Sequence, residues 1–217
     1  MKTYRILSIA LLFVSLFDVV AAQEKAGSSF DGAEARIGLI GGLNIATIIK
    51  SDDPNFSTTP LYGFNAGGLL QLPLGNVIAL QPEVLFSQKG YRAKGSDGLT
   101  GYDYRRSLSC VDIPLLLKIN LAKEFGIVAG PQYSYLLSTK TTFNSGSATY
   151  MQTVKNDNDN IRKNTFGGVV GIDLNLDHNF FLYGRYTIDF KNNNGDGTSS
   201  TPTYKNQVFQ MGIGILL

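Results

Sequence analysis

The sequence predicts an all-β fold: an eight-stranded antiparallel up-and-down transmembrane β-barrel with short periplasmic turns and long external loops. Three observations predict it. Apolar and polar residues alternate with period two through eight separate segments. The breaks between those segments are alternately short and long, as in barrels that cross an outer membrane. Residues 1–22 read as an export signal, and no later segment has the ~20 apolar residues of a spanning helix. A membrane chain without a helical span must close its backbone into a barrel.

The signal has Lys2 and Arg5 at its start, an apolar run from Ile6 to Phe17, and small residues at Ala21 and Ala22. Its removal leaves 17 basic and 16 acidic residues, a net charge of +1 read from the sequence. No basic cluster points to nucleic acid. Residues 23–35 are small and polar, a flexible periplasmic leader, and residues 36–217 form the barrel domain. Cys110 is the only cysteine, so no internal disulfide forms.

The first strand is predicted over Arg36–Ile49, with Leu39, Leu43 and Ile45 on one face. After a polar loop, Lys50–Pro60, the second covers Tyr62–Leu74, and Gly75–Asn76 turns the chain into the third, Val77–Tyr91. There Ile78, Leu80, Val84 and Phe86 oppose Gln81, Glu83, Ser87 and Lys89. Arg92–Arg106 reads as a loop. The central hairpin, Leu108–Ser138, supplies strands four and five around Ala122–Glu124, each run being about 12 residues long, enough for a tilted strand to cross a bilayer.

Thr139–Asn164 is the longest polar stretch. Strand six (Thr165–Leu176) turns at Asp177–Asn179 into strand seven (Phe180–Phe190), and after a polar loop, Lys191–Lys205, strand eight is Asn206–Leu217. Both termini then lie on the periplasmic side. Pro82, Pro114 and Pro131 fall within strands, where the missing N–H predicts bulges or rim positions.

Alternation alone does not say which face meets lipid. A soluble ligand-carrying barrel of the lipocalin kind, the alternative reading, keeps apolar residues inside. Here the charges within strands, Glu83, Lys89, Asp112, Lys118, Asp173, Arg185 and Asp189, all share the face opposite the apolar one. Glycine is frequent on that polar face, as the narrow interior of a small barrel requires. The prediction is an apolar outside and a lumen filled by a charge network that pairs internally, since an isolated buried charge costs several kcal/mol. Such a barrel conducts no appreciable current.

The central hairpin also carries a family resemblance. Asp112–Lys118 (DIPLLLK), Ala129–Gln132 (AGPQ) and Tyr135–Ser138 (YLLS) resemble the PorT-type outer-membrane β-barrel proteins of Bacteroidetes. Gly41–Asn44, Leu80–Gly90, Arg185–Tyr186 and Val208–Gly214 fit the same pattern. The resemblance implies an eight-stranded outer-membrane barrel of a Gram-negative bacterium that tolerates the three prolines, and the family name points to a secretion system for surface proteins. Ile40 departs from the pattern, which expects a polar or basic residue there. Leu217 stands in place of the usual aromatic end, which weakens recognition by the barrel-insertion machinery.

Catalytic and metal chemistry find little support. His178 is the only histidine and falls in a predicted turn, so no pair of imidazoles is available for zinc. Cys110 reads as an inert filler of the polar face. Asn192–Gly197 begins like a calcium loop, but Thr203 stands where a bidentate Glu should close it. Asp157 and Asp159 belong to a solvated loop. Aromatics near strand ends (Tyr62, Tyr91, Tyr102, Tyr104, Phe143, Phe180, Phe181, Phe190 and Tyr204) suit interfacial girdles, with core packing as the alternative. Tyr102, Tyr104, Arg105 and Arg106, in one external loop, are the candidate contact with a headgroup or partner. The expected protein is no enzyme and has no cofactor. Its partners are outer-membrane lipid, the insertion machinery and a secretion or surface complex.

Overall fold

The computed structural model describes residues 34–50, 58–96, 101–145, 148–155, 162–194 and 203–217. The signal, nearly all of the leader, Asp157, Asp159 and Gly195–Gly197 lie outside the described residues. The strands are β1 (Arg36–Lys50), β2 (Thr58–Pro73), β3 (Ile78–Ser96), β4 (Gly101–Asn120), β5 (Phe125–Ser145), β6 (Ala148–Lys155), β7 (Asn164–Asn175), β8 (Phe180–Asp189) and β9 (Tyr204–Leu216). Each of β1–β5 and β7–β9 pairs antiparallel with two neighbours in the ring; β9 pairs with β1, and β4 with β5, so eight strands close it. Closure removes the free edges that lipid does not tolerate.

Three features differ from the expectation. The stretch expected as a loop, Arg92–Arg106, is mostly strand, because β3 and β4 stay in register up to Ser96↔Gly101. The polar stretch after Ser138 likewise continues β5 to Ser145 and adds β6, a ninth strand that pairs with β5 alone among the described residues. The outward face of this extension is polar among the described side chains, so the apolar contrast that reveals a membrane strand is missing. Its threonines and tyrosines still favour extended backbone. Finally, the prolines are not bulges. Register is unchanged across Pro82, Pro114 and Pro131, with paired residues missing from the ladder around Pro82 and Pro114. The register shifts fall elsewhere, between Pro60 and Asn65 on β2 and beside Cys110 on β4.

The β2 shift explains one glycine. Gly90 lies opposite it with φ +136°, and a Cβ there would stand 2.0 Å from the Arg106 carbonyl oxygen. Only glycine fits both constraints.

The ring is apolar outside. Leu39, Leu43, Phe64, Leu115, Leu117, Ile127, Val170, Ile172, Leu174, Met211 and Ile213 all stand on its exposed face. Phe209 to Leu217 on β9 and Val111 to Ile119 on β4 each give about nine residues of belt, close to the ~9–11 of a tilted spanning strand. Tyr133 and Tyr186, at the edge of this belt away from the short turns, also face outward. Their hydroxyls donate to Asn164 Oδ1 (2.8 Å) and Gln207 Oε1 (2.6 Å). Rings with an apolar body and a bonded polar tip suit the headgroup level.

Candidate functional site: the filled lumen and the strand extension

The inward face is filled by partly interleaved clusters of side chains, beginning at the end with the short turns. Ile40, Leu69, Leu85, Phe181, Tyr183 and Leu216 form an apolar cluster. Inward glycines make room for its rings. A Cβ at Gly214 would lie 2.1 Å from Phe181 Cζ, and one at Gly42 would lie 2.6 Å from the Tyr183 hydroxyl and 2.2 Å from the Met211 carbonyl oxygen. Ile40, a departure from the pattern that the resemblance expects, points inward into this apolar cluster.

Interleaved with this apolar cluster is an ionic group, in which Lys118 and Asp173 stand two residues from the short-turn ends of β4 and β7. Arg185 Nη1 donates to Glu83 Oε2 at 2.6 Å, and Glu83 Oε1 accepts from Gln81 at 2.8 Å. Lys118 pairs with Asp173 at 3.0 Å, and Arg185 Nη2 is 3.9 Å from the same carboxylate. The cations also use the cluster's rings: Lys118 Nζ sits 5.3 Å from the Phe181 centroid, and the Arg185 guanidinium 4.7 Å from that of Tyr183. The Tyr183 hydroxyl donates to Asn65, Asn65 to Asn44, and Asn44 to Ser87, so a chain of hydrogen bonds crosses the lumen from β8 to β3.

A second ionic group lies further along. Lys89 Nζ donates to Asp112 Oδ1 at 2.9 Å and to Ser134 Oγ at 3.1 Å. Asp189 accepts from Asn206 at 2.8 Å. Cys110 is buried beside them as a free thiol. Beyond this group, Ile48, Tyr91, Ala93 and Tyr204 close the far end, with Tyr104 packed against them. Tyr91 meets Tyr204 edge to face at 5.2 Å.

The seven charges named from sequence are therefore all buried inside the ring and fall into two groups. An eighth was missed. Arg106 also points inward, is buried, and hydrogen-bonds Tyr91. Four carboxylates and four cations then share the interior. Parity along β4 was the signal that could have found it, since Arg106, Leu108, Cys110 and Asp112 are alternate residues of one strand.

The proposed contact quartet does not hold together. Tyr104 and Arg106 face inward, Arg105 alone of the described side chains faces outward, and the Tyr102 side chain lies outside the described residues. The quartet sits on strand β4, not in a loop. The aromatic girdle is divided in the same way: Tyr62, Phe180 and Phe190 are exposed outside, while Tyr91, Phe181 and Tyr204 fill the lumen. His178 lies in the short turn between β7 and β8, where its carbonyl accepts from Arg36 Nη1 at 2.5 Å.

Residues 21–195 match the family described as outer membrane protein beta-barrel domain. No curated protein matches the chain. Solved structures similar to it include Ail, the attachment invasion locus protein of Yersinia pestis, with 12% identity, 84% of this chain and 97% of that one covered, and a TM-score of 0.45. Neisserial surface protein A gives 11% identity, 84% and 99% coverage and a TM-score of 0.45. CarO of Acinetobacter baumannii gives 11%, 82% and 97%, and 0.45. An eight-stranded antiparallel ring, greasy outside and ionic within, whose sequence matches that family over most of its length: the chain belongs to the outer membrane β-barrel proteins, and its place is the outer membrane.

Proposed function

We propose that this protein is a non-enzymatic, non-conducting barrel that holds the β3–β6 extension above the membrane as a surface for other components of the cell envelope. The observation that carries the reading is the filled lumen. An apolar cluster interleaved with one ion-paired group near the short turns, a second ionic group and a tyrosine cluster at the far end fill the interior, as suits a ring of eight strands only wide enough inside for side chains. The orientation that goes with it puts both termini and the short turns in the periplasm and the long hairpins outside. An outward apolar belt is the reverse of what a soluble ligand-carrying barrel needs, so that alternative is set aside.

The finer reading is a PorT-type barrel of a Bacteroidetes outer membrane, inserted by the barrel-insertion machinery and joined to a secretion or surface complex. The ordered motifs on β1, β3, β4, β5, β8 and β9 support it. Planar-bilayer recording tests the closed lumen: purified protein should give no stable open-channel steps, and large sustained currents would end the proposal. Co-purification from native membranes in mild detergent, with and without residues 139–164, tests the complex. A companion lost with that segment is the expected result.

A further inference from the structure

The outward face of the extension carries a feature that neither closure of the lumen nor anchoring in lipid requires. Between β3, β4 and β5 lies a groove of about 460 Å³ lined by Gln88, Arg92, Asp103, Arg105, Lys140 and Asn144, with Ser107 and Thr142 at its base. Arg92 and Arg105 are direct cross-strand partners, and Lys140 faces Ser107 one row nearer the membrane. Like charges set directly opposite destabilise a sheet. The single carboxylate present, Asp103, is taken by Arg92, whose Nε lies 2.9 Å from Oδ1. Among the described residues Arg105 and Lys140 have no carboxylate of their own, and both are exposed. The groove thus sets three cations on neighbouring strands against a single carboxylate.

Its height narrows the choice of anion. The last row that is apolar on all three strands is Phe86, Val111 and Tyr135, with Leu137 on β5 beyond it. Ser107 lies four residues beyond Val111 and Arg105 six. At ~3.3 Å per residue and a tilt near 40°, Lys140 then stands ~10 Å and Arg105 ~15 Å above the belt. The polar layer of an ordinary phospholipid leaflet reaches only ~5–8 Å beyond the hydrocarbon. A taller anionic headgroup is needed.

We propose that this groove binds the phosphorylated saccharide headgroup of an outer-leaflet glycolipid. Arg105 and Lys140 contact phosphate, Arg92 is held in place by Asp103, and the amide and hydroxyl groups of Gln88, Thr142 and Asn144 meet sugar. The placement rests on the orientation proposed above, whereas binding itself is measurable without it.

The test is native mass spectrometry of the full-length folded protein in neutral detergent, titrated with a lipopolysaccharide whose core sugars are phosphorylated. Binding should fall at least tenfold in Arg105→Ser/Lys140→Ser, persist in Arg105→Lys/Lys140→Arg, and be unchanged by Lys123→Ser in a turn at the opposite end. Heat-modifiable gel mobility reports whether each variant is folded. If the double Ser variant fails to fold, wild-type binding should still weaken steeply with added salt. Equal binding to the folded double Ser variant, equal binding of the same lipopolysaccharide after removal of its core phosphates, or binding with no salt dependence overturns the proposal. So does equally tight binding of the soluble phosphorylated core oligosaccharide without acyl chains, which would assign the groove to a free ligand.

Discussion

Replacing Arg185 by Met isolates the contribution of the lumen pairs. The guanidinium is 1% exposed and donates to Glu83 at 2.6 Å; Asp173, its other neighbour, keeps Lys118 at 3.0 Å. The charge left stranded is therefore the Glu83 carboxylate, whose remaining bond comes from the neutral amide of Gln81. Met fills much of the vacated space, so the loss is chiefly electrostatic. Removing one partner of a buried pair costs about 3–5 kcal/mol, or roughly two to three and a half powers of ten in the unfolding constant. Urea unfolding and refolding in phosphatidylcholine vesicles measures it, followed by tyrosine fluorescence because the chain has no Trp, with gel mobility as a second probe. Adding Glu83→Gln to Arg185→Met removes the stranded charge and should restore at least about 1.5 kcal/mol. Stability within about 0.5 kcal/mol of wild type for Arg185→Met, or no recovery in the double variant, refutes the reasoning.

Ile213 stands at the middle of the β9 belt, on the exposed face; Ile213→Arg should destabilise the inserted barrel by about 2–4 kcal/mol in the same vesicles. Gly42→Ala places a Cβ 2.2 Å from the Met211 carbonyl oxygen and 2.6 Å from the Tyr183 hydroxyl. It should lower stability by about 1–3 kcal/mol and reduce the refolding yield seen on gels. The Arg92 guanidinium hydrogen-bonded to Asp103 holds that carboxyl below its ordinary pKa. A carboxylate with a lowered folded pKa adds stability above its unfolded value, near 4, and loses it as pH falls through the folded one. Amide exchange around Arg92 and Asp103 should therefore show constant protection from pH 7 to pH 5 and weaken below pH 4.

The ring itself was legible because lipid demands a one-sided contrast. Leu174 and Ile213 outside, and Glu83, Lys118 and Arg185 inside, follow directly from period-two alternation in strands that cross the bilayer. Above the bilayer that contrast ends, so Lys94, Asp103 and Thr142 read as loop although they are paired strand. Polarity was also a poor guide to direction in that region. Tyr104 and Arg106 look like surface groups by type, and parity with Asp112 turns them inward. Ile40 shows the converse: its inward position was legible, but its company was not, because Phe181 and Leu216 reach it from the far end of the sequence. The pairing within the charge network was equally beyond reach, since which carboxylate meets which cation depends on the register of β3, β4, β7 and β8.

β6 hangs from β5 by one set of bonds and takes no part in closing the ring. Residues 148–155 can accordingly be shortened, lengthened or exchanged while every seam that seals the barrel stays intact. Retention in the bilayer and encounter with the surroundings are then governed by separate stretches of chain. A change in one is free to accumulate without being vetoed by the other, which also makes this hairpin the natural place to graft a reporter or an epitope.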